Sequence, residues 1–205
     1  AAPQDWVAEA QQALQYGYTS LKTKPRPWWD IHHQMQSLAK AIPDHFKLDL
    51  DPNGCWRNVA AALPLIKDLE NYDQIARFET PIPQHDLLGN QELRRHIHRP
   101  LAMHFGIPAY ITTVRHALCD GFVINGGASQ VCQHAALSAE AEMPFGLQLV
   151  GNGLTTTWAA HLGAVLSHAI WPTISCYNLY SHSLLKKPIN IVGGYQPVPE
   201  APGLG

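Results

Sequence analysis

Apolar and polar residues follow two different periods along the chain. Apolar residues that recur every three to four positions indicate amphipathic helices, and short apolar runs bounded by Gly, Pro or Asp indicate strands. The first helix places Trp6, Ala10 and Leu14 on one face and ends before Gly17. The pattern predicts helices at 4–16, 31–41, 56–69, 90–97, 107–118, 128–141 and 154–169, and strands at 18–24, 46–50, 75–79, 100–105, 121–125, 145–150 and 173–179.

This alternation of strand and helix predicts an α/β fold built on a parallel sheet with right-handed crossovers. Neither GxGxxG after the first strand nor GxxxxGK(S/T) occurs, which disfavours a nucleotide-binding doubly wound sheet. A TIM barrel is favoured instead, although a complete one needs eight strands and about 250 residues. We therefore expect residues 1–185 to form most of a barrel that lacks its first strand. The Pro- and Gly-rich residues 186–205 are expected to be irregular.

Charge and cysteine content narrow the class of protein. Lys and Arg number 14 and Asp and Glu number 16, so no nucleic acid or anionic membrane is expected as a partner. The sequence shows no membrane span and no secretion signal, and its cysteines are widely spaced, so we expect a cytoplasmic protein with reduced thiols. Charged residues make up only 15% of the chain, which favours a surface partly covered in a homo-oligomer.

Two lysines end the first predicted strand. Alternation along a strand places Lys22 and Lys24 on the same side, and two neighbouring ammonium groups lower each other's pKa. A neutral lysine can act as a base near neutral pH. The simpler interpretation is a pair of exposed lysines at the edge of a strand.

Three potential metal ligands end the next three predicted strands. Asp51, Glu79 and His104 are each about one strand–helix unit apart, so they should meet at the carboxyl-terminal face of a barrel. Two carboxylates and an imidazole can bind a divalent cation there. Each residue also has a simpler interpretation, because Asp51 can shape a DPNG turn, Glu79 can form a cap or an ion pair, and His104 can lie in the core.

At these residues the sequence resembles a known family, the enolase superfamily in its mandelate racemase / muconate lactonising branch. The stretches GYTSLKTK (17–24), LDLDPNG (48–54) and IARFETPIP (75–83) resemble its lysine, first metal-ligand and second metal-ligand strands. DGFVINGGAS (120–129) resembles the strand that leads to a Gly-Gly turn. KKPINIVGGYQPVPEAPGLG (186–205) resembles the closing segment of the branch.

The resemblance implies a modified (β/α)7β barrel, whose capping domain and first strand are absent from this chain. It also implies that the closing segment packs on the barrel or on the capping domain. In such a site Mg²⁺ stabilises the enediolate that forms when the proton α to a carboxylate is removed. Lys24 would be the base, Lys22 the neighbour that lowers its pKa, and Asp51 and Glu79 metal ligands.

Three positions depart from the family pattern. His104 stands where a third carboxylate ligand is usual, which admits Mn²⁺ or Zn²⁺ beside Mg²⁺. Asn125 replaces the lysine expected on a later strand, and Gln148 lies near the place of a histidine found in other members. We expect both, together with Asn53, to bind substrate.

Without a second acid/base, the chain is better suited to a reaction that uses a single base. We therefore expect a lyase, such as a dehydratase, acting on a hydroxy-acid or sugar-acid carboxylate. A racemase, an epimerase or a cycloisomerase of the same superfamily is the alternative. A non-catalytic relative that serves binding or assembly also remains open.

Overall fold

The structure is a computed structural model that describes residues 1–205. Two compact units divide the chain, at residues 1–120 and 121–205. The first unit contains α1 (Pro3–Gln15), β1 (Ser20–Thr23), α2 (Ile31–Ala41), β2 (Lys47–Leu50), α3 (Val59–Leu69), β3 (Ile75–Glu79), α4 (Leu87–His96), β4 (Leu101–His104) and α5 (Tyr110–Arg115).

The four strands of the first unit form a parallel sheet in the order of the sequence. The side chains of Leu48, Leu50 and Phe78 are fully buried in the core. Because successive side chains of a strand point to opposite faces, Asp49 and Arg77 lie on the other face. That second face is polar, and it carries the candidate site residues at the carboxyl ends of the strands.

Side-chain caps decide where several helices begin. The Asp30 carboxylate accepts hydrogen bonds from two backbone amides of α2, so that helix begins at Ile31. Asn58 caps α3, so that helix begins three residues later than the predicted 56. Asp86 caps α4 through the amide of Gly89, so the helix predicted at 90–97 begins earlier, at Leu87. The helix predicted at 107–118 is shorter because it begins after Pro108 and ends before Ala117, whose φ is 51°.

The second unit contains β5 (Gly121–Ile124), α6 (Ala128–Glu140), β6 (Phe145–Leu147), α7 (Gly153–Val165) and a 3-10 helix (Tyr177–Leu179). Its two strands are parallel neighbours. The strand predicted at 173–179 was wrong, because only Ile174 forms a bridge, to Gln148. Cys176 adopts a φ of 55°, which turns the chain out of the extended conformation.

Residues 186–205 form no helix and no strand, and their backbone contains one antiparallel bridge, between Val192 and Tyr195. The boundary at residue 185 stays a prediction. None of the helices is long and apolar enough to cross a membrane. The four cysteines are free thiols, and only Cys119 is buried.

Candidate functional site

The candidate site lies in the first unit, at the carboxyl ends of β1 to β4. Lys22 lies within β1, Glu79 ends β3 and His104 ends β4, whereas Lys24 and Asp51 come directly after β1 and β2. Parallel neighbouring strands end at the same edge of the sheet, which is why residues far apart in the sequence meet here. All five are brought together through contacts between their side chains.

Lys22 supplies the buried cation of the site. Its Nζ lies 3.0 Å from Asp51 Oδ2 and 2.6 Å from Glu79 Oε1. The side chain of Lys22 is only 7% exposed, and both carboxylates are buried. A buried charge is tolerated when a partner neutralises it and forms hydrogen bonds with it. The ammonium of Lys22 therefore neutralises two carboxylates at once.

Lys24 supplies the accessible amine of the site, with a side chain that is 45% exposed. Its Nζ donates to Asp51 Oδ2 and, over 3.0 Å, to Asn53 Oδ1. The same oxygen of Asp51 therefore faces both ammonium groups, and its negative charge counters the repulsion that the sequence predicts between them. The outcome is a linked row of amines and carboxylates, with one amine open to solvent.

His104 completes the row through Glu79. Its Nε2 lies 3.2 Å from Glu79 Oε1, and its side chain is 27% exposed. Burial alone would raise the pKa of Glu79, but the hydrogen bond from His104 and the charge and hydrogen bond of Lys22 outweigh it and lower the pKa to about 2. Glu79 is therefore ionised at neutral pH. Because a carboxylate only accepts, His104 Nε2 carries the proton in this contact.

A loop after β2 holds Asp51 and Asn53 in place. The backbone amide of Asn53 donates to Asp51 Oδ1 over 3.0 Å, and Asn53 adopts a φ of 53°, which asparagine tolerates better than most residues. Arg26 donates to the carbonyl of Pro52 and, over 2.9 Å, to Asn53 Oδ1. Sequence reasoning missed Arg26, although its place two residues after Lys24 was a usable signal.

A buried ion pair lies on the same face of the sheet, two residues before the carboxylates of the site. Arg77 donates to Asp49 Oδ2, and both side chains are 7% exposed. Burial raises the pKa of Asp49, although Arg77 opposes this shift. Sequence reasoning missed this pair because each partner, taken alone, resembles an ordinary charged strand residue.

The other two predicted substrate-binding residues belong to the second unit. Asn125 is exposed and directly follows β5. Gln148 is half-buried, directly follows β6, and donates its backbone amide to the carbonyl of Ile124 over 2.8 Å. Within their unit, both residues therefore lie at the carboxyl ends of paired strands.

The donor set fits a divalent cation in its chemistry. Asp51 and Glu79 offer hard oxygen ligands, and His104 offers a ring nitrogen that would have to release its proton. No three His, Cys, Asp or Glu side chains enclose a metal position in this arrangement. Instead, the Lys22 ammonium lies between the two carboxylates. A cationic side chain therefore takes the position between the two carboxylates.

Comparisons with known proteins give one family for almost the whole chain. The family model described as Enolase C-terminal domain-like matches residues 5–205. An N-succinylamino acid racemase from Amycolatopsis sp. is 22% identical in an alignment 205 positions long. The alignment covers 94% of this chain and 53% of that protein. The chain thus spans about half the length of this curated relative.

Solved structures share the fold at low sequence identity. A muconate lactonizing enzyme from Pseudomonas fluorescens, complexed with muconolactone, matches 100% of this chain and 58% of its own with a TM-score of 0.85 and 22% identity. A dipeptide epimerase from Cytophaga hutchinsonii, complexed with Mg and D-Ala-L-Val, matches the same shares with a TM-score of 0.83 and 22% identity. These similarities confirm the predicted fold class, an incomplete modified TIM barrel.

Proposed function

Because the chain belongs to the Enolase C-terminal domain-like family, we propose that its site removes the proton α to the carboxylate of a small acid. Lys24 is the base in this proposal, and Asp51, Glu79 and His104 hold a divalent cation. The observation that carries the proposal is the row in which two buried carboxylates bind two lysine amines, one of them accessible.

The two lysines differ in exposure, and their proposed roles follow from that difference. Lys24 can reach a substrate because almost half of its side chain is exposed. Its free amine would take the proton, and the electron pair of the C–H bond would stay on the substrate. Lys22 is buried against Asp51 and Glu79, so its role is to fix the charge balance beneath the reacting centre.

A divalent cation bound at Asp51, Glu79 and His104 would stabilise the negative charge that develops on the substrate carboxylate. Mg²⁺ is our first expectation, because the epimerase complex from Cytophaga hutchinsonii contains it. The imidazole of His104 also admits Mn²⁺ or Zn²⁺. Asn53 fixes the position of the base, since its amide oxygen accepts a hydrogen bond from Lys24.

The residues of this chain favour a reaction that needs only one base. Asn125 and Gln148 do not titrate near neutral pH, so neither can exchange a proton with a second face of the substrate. An elimination can use Lys24 twice, first as base and then as the acid that protonates the leaving group. A cycloisomerisation, in which the leaving group belongs to the same molecule, has the same requirement.

Racemisation or epimerisation is the second candidate. The name of the curated relative, an N-succinylamino acid racemase, favours it, as does the similarity to a dipeptide epimerase. This reaction needs a second acid/base on the opposite face of the substrate. Its substrate would be an N-acylated amino acid or a dipeptide rather than a sugar acid. We propose a small-molecule carboxylate in either case.

Proton exchange with solvent tests the shared first step. The full-length protein is incubated in deuterium oxide with Mg²⁺ and a panel of N-succinylamino acids, dipeptides and sugar acids. We expect deuterium at the α carbon of at least one substrate. Inverted configuration indicates a racemase or epimerase, whereas loss of water or ring formation indicates the reaction with one base.

Two variants assign the base. Lys24→Ala should lose the exchange by a factor of about 100 or more, while Lys40→Ala, which changes an exposed lysine of α2, should retain it. Exchange by Lys24→Ala at the wild-type rate would refute the assignment of Lys24. Absence of exchange with every acid of the panel would favour the non-catalytic alternative.

A further inference from the structure

Gln84 is a buried polar residue in the loop between β3 and α4, and it forms an unusually complete set of hydrogen bonds. Only 8% of it is exposed. Its Oε1 accepts from the backbone amide of His104 over 2.9 Å and from Thr80 Oγ1 over 2.9 Å. Its Nε2 donates to the carbonyl of His104 over 3.2 Å and to the carbonyl of Ile107.

This arrangement extends the pairing between β3 and β4 past the point where the strands part. The last backbone hydrogen bond between the two strands joins the amide of Thr80 to the carbonyl of Ala102 over 2.9 Å. Thr80 adopts a φ of 46°, so the chain turns away from β4 immediately afterwards. The amide of His104 then lacks a backbone acceptor on β3, and the side-chain amide of Gln84 takes the place of a peptide group.

His104 is therefore held through both polar groups of its own backbone. With its amide and carbonyl fixed, the Cα–Cβ bond of His104 leaves the strand end in one direction, and from there the ring places Nε2 3.2 Å from Glu79 Oε1. These hydrogen bonds of Gln84 reach the backbone of His104 and not its ring. Any influence of Gln84 on the site thus passes through the placement of His104.

We propose that Gln84 is the positioning residue for the imidazole of His104, and that it thereby sets the third donor of the cation site. The second half of this inference rests on the proposed function. A side chain that orients a metal ligand typically changes metal affinity by a factor of about 10 to 100 when it is removed. If Gln84 only stabilises the loop, its replacement would instead lower the free energy of unfolding and leave the contribution of His104 to metal binding unchanged.

The test compares Gln84→Met, which keeps the length of the side chain and removes its hydrogen bonds, with the wild type. Gln91→Met is the matched control, because Gln91 also donates to a backbone carbonyl, that of His116, but lies on α4 away from the site. Mn²⁺ affinity of the full-length protein is measured by calorimetry at a temperature at which every variant is folded. We expect Gln84→Met to weaken Mn²⁺ binding about tenfold, and Gln91→Met to leave it unchanged.

A double variant separates positioning from general destabilisation. In the His104→Ala background, Gln84→Met should have no further effect on Mn²⁺ affinity, because its route to the site has been removed. Equal affinity of Gln84→Met and wild type would overturn the proposal. An undiminished tenfold loss in the His104→Ala background would overturn it as well.

A second measurement needs no metal and therefore separates this inference from the proposed function. In ¹⁵N-histidine-labelled protein, the ring proton on His104 Nε2 should exchange slowly because it is hydrogen-bonded to Glu79. Gln84→Met should make this proton exchange rapidly, and Gln91→Met should not. An unchanged ring proton in folded Gln84→Met would refute the positioning role. If the wild type binds no Mn²⁺, the proposed cation site is refuted. The exchange rate of the His104 ring proton still tests the positioning role of Gln84.

Discussion

The Nζ atom of Lys22 lies 2.6 Å from Glu79 Oε1, in a part of the site that is almost closed to solvent. Such a contact with a buried positive charge favours the ionised form of Glu79. It also places a positive charge where the proposed function requires a divalent cation. The ammonium and the cation should therefore compete for the same carboxylates, and this competition leads to the first prediction.

Replacing Lys22 by Met should leave Asp51 and Glu79 without the cation between them. Loss of one partner of a buried ion pair costs about 3–5 kcal/mol, so the free energy of unfolding should fall by about that amount. Mn²⁺ at about 100 times its dissociation constant should restore about 2.7 kcal/mol. Because the ammonium no longer competes, Mn²⁺ should stabilise Lys22→Met more than it stabilises the wild type. Urea unfolding with and without Mn²⁺ measures both effects.

Lys47→Met is the control for this experiment. Lys47 donates to the carbonyls of Asp44 and Asp73 over 2.9 and 2.8 Å, at the amino end of β2 and away from the carboxylates. Its replacement should lower the free energy of unfolding only slightly and should not change the stabilisation by Mn²⁺. An equal response of Lys22→Met and Lys47→Met to Mn²⁺ would contradict the competition.

The pH dependence of stability should report the ionisation of Glu79. Its pKa falls from 4.5 to about 2 in the folded protein, so the stabilisation is complete above the unfolded pKa and is lost as the pH falls from 4.5 towards 2. The shift corresponds to about 3 kcal/mol. Between about pH 5 and pH 3, the difference in unfolding free energy between wild type and Glu79→Gln should shrink steadily. A difference that is constant with pH would show that folding does not lower the pKa of Glu79.

Replacing both residues of the buried pair Asp49 and Arg77 should destabilise the protein less than the two single replacements suggest. Asp49→Leu or Arg77→Met alone leaves one buried charge without its partner, and each should cost about 3–5 kcal/mol. The double variant removes both charges and should be much less destabilised than the sum of the two single variants. Unfolding in urea gives the coupling energy directly. Additive single effects would mean that the two charges do not stabilise each other.

Asn53 should matter for the reaction more than for stability. Asn53→Gly keeps a residue that tolerates the φ of 53° and removes the amide oxygen to which Lys24 and Arg26 donate. We expect a stability loss of about 1 kcal/mol and a slower deuterium exchange at the substrate α carbon. Asn58→Ala removes the cap of α3 at a similar cost of about 1 kcal/mol. It should leave the exchange rate unchanged, so equal slowing in both variants would point to stability alone.

Much of the fold could be predicted from the sequence because strand and helix periods are local signals. Strand 75–79 and helix 31–41 were predicted with their observed bounds. Errors arose where one residue outweighs the periodicity. The cap at Asn58 delays α3, and the left-handed conformation of Cys176 ends the extended segment that was predicted as a seventh strand.

The candidate site was predictable only in part. Strand ends gave the positions of the two lysines and of the three proposed ligands, and the structure brings these five together. Sequence alone could not show that the ammonium of Lys22 lies between the two carboxylates, because this depends on the direction of a flexible side chain. Gln84 gave no signal either, since three of its four hydrogen bonds join backbone atoms of His104 and Ile107, at least twenty positions away.

Metal content tests the central claim, a cation site formed by Asp51, Glu79 and His104, most directly. Elemental mass spectrometry of the purified full-length protein should find about one divalent ion per chain after incubation with Mg²⁺ or Mn²⁺ and removal of excess metal. Asp51→Asn and His104→Ala should each reduce this content strongly, whereas Lys40→Ala should not. A wild-type protein that stays empty with both metals would contradict the account, as would one whose metal is retained in both site variants.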